Sequence, residues 1–350
     1  MNLFKIKDEE LKNSDAIKAL MMLIIVFYHC CCCRTGGGIL PTALLEPKII
    51  SYFFKLIIDF CSSFQNQTFV FVSGYIFSFV LNERQSYVSF NEFIGKKARR
   101  LLIPFMFILL FWQIPIRLLI CDQSSTQIIH DCVLASNPDQ LHFILMLFWV
   151  FVIAWFVVPI WNNKPYISCA VLIGVYYLGS FVDIYATDYF RLLETCKELL
   201  FFFMGYSIRF FDCKKIRNIR MPIWAFLWAV FFILSEIMQL IKMPGYTVAK
   251  EIICLPLHIV AVLSVFFILN KAVTYFNLNN NSFFIMLSKR MMGIYLLHQQ
   301  LIYLVVLMLG GKINSILLVL VSFVVTTVIS FIITSILLRV KVTRTLIGEK

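Results

Sequence analysis

Two ionisable side chains stand eleven positions apart in an otherwise apolar run, residues 14 to 33 (SDAIKALMMLIIVFYHCCCC): Lys18 near its start and His29 near its end. At ~100° and ~1.5 Å per residue, a helix places them on nearly one face and roughly 16 Å apart. That face carries a fixed cation towards one membrane surface and an imidazole towards the other. An ionisable group inside a bilayer costs ~2.5 to 3.5 kcal/mol at the centre on insertion scales for Arg, Lys or Asp, so it marks a pathway or a reaction site by default. Imidazole exchanges a proton near neutral pH, and His29 is a functional candidate by that default. The competing reading has His29 at the interface, bonding only a headgroup or a carbonyl. Position alone leaves both open.

Three further stretches carry chemistry-bearing residues. In FVFVSGYIFS, Phe69 to Ser78, the pair Ser73-Gly74 permits close backbone approach by another helix, and Tyr75 follows it. In KKARRLLIP, Lys96 to Pro104, four cations in five positions suit anionic lipid. They equally suit the phosphates of a nucleotide-bearing donor, since Arg offers phosphate a planar, bidentate set of donors. In LSKRMMGIYLLHQQLIY, Leu287 to Tyr303, His298 is a second intramembrane imidazole, either sharing a proton path with His29 or serving structure. Asp59, Arg117, His142, Glu236 and His258 fit the walls of an aqueous cavity. Cys30 to Cys33 lack the paired spacing of a zinc site and are read as packing residues, so no metal is expected.

The elements that must position these residues are membrane helices. The chain has 350 residues, 61% hydrophobic and 14% charged, with a mean hydropathy of +0.86. Those values lie outside the range of ordinary soluble domains and predict an all-α, polytopic transmembrane helix bundle. At ~20 apolar residues per crossing, about ten spans are expected, near residues 16–33, 56–81, 101–121, 141–161, 166–183, 198–211, 222–241, 251–270, 291–310 and 315–338. Gly36, Gly37, Gly38, Pro41 and Pro47 predict a loop after the first. An even count puts both termini on one side, and 22 of the 31 Lys and Arg residues fall on that side. The bias predicts cytoplasmic termini and accounts for the net charge of +12 without nucleic acid. No cleavable leader and no separate soluble domain are expected, so residues 1–350 read as one integral-membrane domain.

Taken in order, DAIKALMMLIIVFYH, FVFVSGYIFS, KKARRLLIP, LHFIL (Leu141 to Leu145), ELLFFFMGYSI (Glu198 to Ile208), SKRMMGIYLLH and TRTLIG (Thr343 to Gly348) resemble the integral-membrane acyltransferase family three, collinearly from Asp15 to Gly348. The resemblance implies O-acetylation of exopolysaccharides, lipopolysaccharide O-antigens and related glycans in a bacterial cytoplasmic (inner) membrane. Acetyl-CoA would be the donor, and a surface glycan or lipid-linked oligosaccharide the acceptor. The family's first helix carries a basic residue, ten intervening residues and a His, and Lys18 and His29 stand there. Its basic pair before the third span falls on Lys97 to Arg100. By this likeness His29 is the general base, Lys18, Lys97, Arg99 and Arg100 bind the donor, and Asp15, Ser73, Tyr75 and His298 lend support. Membrane lipids are expected partners as well.

Two departures stand out. Lys18 occupies a position more often Arg in the family, keeping the charge and losing bidentate geometry. His142 replaces the Trp of the family's Leu-Trp-Phe segment. Direct transfer is the expected route, with an acetyl-His29 or acyl-Cys intermediate as the stepwise variant. A glycan or lipid transporter or flippase is the alternative function, predicting movement of unmodified substrate without any acetyl donor.

Overall fold

A chain in lipid must satisfy its backbone hydrogen bonds within each segment, and the described residues of this protein form helices and no strands. The computed structural model describes residues 3–36, 46–84, 89–121, 123–211, 219–241 and 246–349. The glycine and proline loop expected over Gly37, Gly38 and Pro41 lies outside them.

Helix α1 (Leu3–Cys33) begins well before Asp15. Ser14 lies within it, donating its hydroxyl to the Glu10 carbonyl at 2.9 Å. The same helix therefore continues outward. It is followed by α2 (Lys48–Ser62), α3 (Gln65–Asn82), α4 (Phe90–Ile108), a π-helical turn (Leu109–Gln113), α5 (Ile114–Ile120) and α6 (Ser125–Val133). Next come α7 (His142–Asn163), α8 (Pro165–Tyr185), α9 (Leu192–Phe210), α10 (Met221–Ile241) and α11 (Tyr246–Tyr275). The chain closes with α12 (Ser282–Ser288), α13 (Met291–Leu309), α14 (Ser315–Leu337) and α15 (Lys341–Leu346).

Eight helices among the described residues are long and apolar enough to cross a membrane. The second and sixth expected spans correspond to α3 and α9, which are not among those eight. Both are largely buried by other helices, so neither needs the uniformly apolar surface that lipid demands. Lipid-facing positions lie instead on peripheral helices, where Phe226 and Leu119 are largely exposed.

Helix α1 occupies the centre, packed against α2, α3, α11, α12, α13 and α14. Cys30, Cys31 and Cys33 are buried in this packing. Helices α3 and α9 cross at backbone contact. A Cβ on Gly74 would lie 1.9 Å from the Phe202 carbonyl oxygen, and one on Gly205 would lie 1.9 Å from that of Phe71. The close approach expected at Ser73-Gly74 is thus reciprocal, with Gly205 as its partner.

Candidate active site

Three cations from two helices line one cavity of about 180 Å³: Lys18 of α1 with Lys97 and Arg100 of α4. Phe69 and Ser73 of α3, Phe151 of α7 and Tyr295 of α13 close its walls. Positions three apart share a helical face, which is why Lys97 and Arg100 turn inwards together. Their neighbours do not. Lys96 bonds Glu92 at 2.6 Å, and Arg99 lines a separate lateral groove with Leu102, Met106 and Leu346. The basic run therefore divides between two faces.

No carboxylate lies within ion-pairing distance of Lys18, Lys97 or Arg100 among the described residues. Aromatic rings take that place: Lys18 Nζ is 5.4 Å from the Phe69 centroid and Lys97 Nζ is 3.5 Å from that of Phe151. Cation–π contact offsets part of the cost of removing ammonium from water without supplying a counter-charge. Asp15 is exposed and within electrostatic reach of Lys18 and Arg100. Ser73 Oγ, also in the wall, donates to the Phe69 carbonyl at 2.9 Å. Tyr75 lies outside the cavity, donating to Glu10 Oε1 at 3.4 Å, and Glu10 in turn pairs with Arg209 at 3.1 Å.

The inner wall at Tyr295 leads to the histidines. The Tyr295 ring is 5.5 Å from His298, and the His298 ring is 5.1 Å from His29. His298 is fully buried, and its Nδ1 lies 2.6 Å from the Tyr295 carbonyl oxygen. A carbonyl only accepts, so Nδ1 carries the hydrogen and Nε2 holds a lone pair. That Nε2 has no hydrogen-bond partner. His29 retains part of its accessible surface and lines neither principal cavity, so Tyr295 and His298 stand between it and the cations.

Beyond the histidines, towards the other end of the bundle, lies a polar cavity of about 540 Å³, lined in part by Asp139, His142, Glu194, Glu198 and His258. His142, within electrostatic reach of His29, meets Asp139 O at 2.6 Å through Nδ1 and Glu194 Oε1 at 3.4 Å through Nε2. Asp139 adopts φ 44° and receives Tyr303 at 3.0 Å and Gln113 at 3.1 Å. Arg117 lies 3.7 Å from its carboxylate. Of the polar residues expected around a cavity, His142 and His258 line this one. Asp59 and Glu236 instead hold Lys55, at 2.6 Å and 3.1 Å.

Sequence reasoning missed Tyr295, Asp139 and Glu194. Tyr295 lies one turn before His298 and shares its face, a signal present in MMGIYLLH. Nothing local marks Asp139 or Glu194 as site residues: the side chains that meet the Asp139 carboxylate, and His142 beside Glu194, come from distant segments.

A family model described as an acyltransferase domain, that of family three, matches residues 11–335. No curated protein and no solved structure matches the chain. The matched stretch contains the Lys18–His29 helix, both inward cations of α4 and the His298 helix, and the chain belongs to the integral-membrane acyltransferase family three.

Proposed function

We propose that this protein transfers an acetyl group from acetyl-CoA to a hydroxyl of a cell-surface glycan or its lipid-linked precursor, in a bacterial inner membrane. The observation that carries the reading is the convergence of Lys18, Lys97 and Arg100 on one cavity without a carboxylate partner. A cavity that gathers cations calls for an anion, and the phosphates of a nucleotide thioester supply one. Opposite charges attract most strongly where water is scarce, so the donor's phosphates stay at the mouth while the acyl end reaches inwards past Tyr295.

His29 is the general base. It removes the proton of the acceptor hydroxyl as that oxygen attacks the thioester carbonyl; the carbon–sulfur bond then breaks and the imidazolium returns the same proton to the departing thiolate, which leaves as free thiol. A positioned base typically contributes ~10² to 10⁴-fold. The His298 ring, 5.1 Å from that of His29 and with its Nε2 unpartnered, supports His29 in this exchange. The protein supplies the cations that hold the donor and the imidazoles that move the proton, with Asp15 and Ser73 bordering the donor site.

His29→Ala should abolish acetate on the surface glycan, read by NMR, while the protein still accumulates in the membrane. Acetylation at the wild-type level would remove His29 from the mechanism.

A further inference from the structure

The polar cavity beyond His142 collects buried polar atoms that nothing in the protein satisfies. Glu198, only 4% exposed, is hydrogen-bonded by the Gln67 side chain. Its second oxygen, Oε2, is buried without a partner, as is Gln67 Oε1. His258 Nδ1 and Arg191 Nε are buried and unpartnered as well. All four residues line the same cavity. Leaving a buried polar group unsatisfied forfeits its hydration with nothing in return, so such a group in a folded protein requires an explanation. Several around one cavity call for a ligand that both donates and accepts at closely spaced points.

The charge balance narrows the ligand further. Six carboxylates and three cations line the cavity. Two of those cations are already engaged: Lys197 with Asp183 at 2.7 Å, and Arg191 with Glu194 at 3.8 Å and Asp188 at 4.0 Å. The surplus is negative, and an anionic ligand would meet repulsion in a poorly screened space. Among the described residues, no three His, Cys, Asp or Glu side chains converge as a metal site would require. Tyr176 adds a flat apolar face to the wall.

From this arrangement we infer that the outer cavity binds the acceptor sugar and selects a neutral or amine-bearing pyranose over an anionic one, with Glu198, Gln67 and His258 as specificity determinants. The inference rests on the acyl-transfer reading for what happens to the sugar, and on the cavity alone for which sugar binds. Glu198 Oε2 and Gln67 Oε1 accept from hydroxyls or an ammonium group. Arg191 Nε donates to a ring substituent. The acceptor so held lies on the His142 side of His29, opposite the donor cations.

Cys254 lines the cavity and is partly exposed, which provides a readout independent of catalysis. The full chain in lipid nanodiscs would be treated with a maleimide in the presence of methyl glucoside, methyl glucosaminide or methyl glucuronide. Modification of the Cys254 peptide would be followed by mass spectrometry. The neutral and amino glycosides should slow that modification, and the glucuronide should not. Glu198→Gln, which keeps the shape and the bond from Gln67, should weaken protection by the glucosaminide about tenfold. His258→Asn provides a second variant and should weaken protection by both effective glycosides. Equal protection by the glucuronide, no protection by any glycoside, or no change in either variant would overturn the inference. The expected protection pattern without transfer of label from acetyl-CoA to any glycoside would uphold the sugar site and overturn the acyl-transfer reading instead.

Discussion

Lys18, Lys97 and Arg100 raise one another's electrostatic cost as long as no anion lies between them, because like charges in a partly desolvated space repel strongly. Anion binding relieves that repulsion and adds charge-assisted hydrogen bonds, each worth ~1.5 to 3 kcal/mol. Arg100→Ala is therefore expected to raise the KM for acetyl-CoA by about 10 to 100-fold, measured by steady-state transfer in nanodiscs. A fall in kcat at constant KM would take Arg100 out of donor binding. Arg99, one position earlier, faces the lateral groove, and Arg99→Ala provides the matched comparison with a much smaller effect on donor KM. The contrast separates a local site from general surface charge, since both variants lose one cation from the same helix.

At the scale of elements, the α3–α9 crossing holds one wall of the cationic cavity in place. Phe69 and Ser73 of that wall lie on α3, and Gly74 meets the Phe202 carbonyl with no room for a methyl group. Overpacking typically costs ~1 to 3 kcal/mol, and here the obstacle is backbone, which yields less than a side chain. Gly74→Ala should lower the thermal unfolding midpoint in detergent and impair donor binding together. An unchanged midpoint would show that the helices can separate freely. The closing segment is a second such element. Helix α15 packs against α4, Ile347 is fully buried, and Gly348 adopts φ 77° beside the Arg100 carbonyl. Burial pushes the Glu349 carboxyl up to about 7 from its ordinary 4.5, with Arg100 opposing and Asp15 adding to the rise. A carboxyl raised in this way favours the docked tail when protonated. That contribution is fully present below pH 4.5 and is lost as pH rises through about 7. A spin label near the carboxyl terminus should become more mobile across that window, and Glu349→Gln should flatten the response. A pH-independent tail in the wild-type protein would contradict this linkage.

At the scale of the molecule, the two cavities lie on either side of the His29–His298 pair, so the arrangement has a direction. Cations gather at one end and a carboxylate-rich space lies at the other. Asp15 and Glu349 come within electrostatic reach of each other, which brings the closing segment to the basic end of the bundle beside α1. Reporter-enzyme fusions at the amino and carboxyl termini should both register the cytoplasmic face, where the thioester is supplied. Fusions reporting opposite faces, or both the outer face, would leave the cationic cavity without access to the donor.

Helical periodicity settled much of this from the chain itself. It put Lys18 and His29 on one face, while the small pair Ser73-Gly74 marked a point of close approach and the apolar composition identified a bundle of membrane helices. The same period separates Lys97 and Arg100 from Lys96 and Arg99, so their division was present in the sequence though it read as one cluster. Periodicity fixes which residues share a face of their own helix. It is silent on which other helix that face meets. Gly205 opposite Gly74, His298 against His29, and Glu194 against His142 were settled only by tertiary packing, because each pair joins segments far apart in sequence through contacts that neither segment encodes alone.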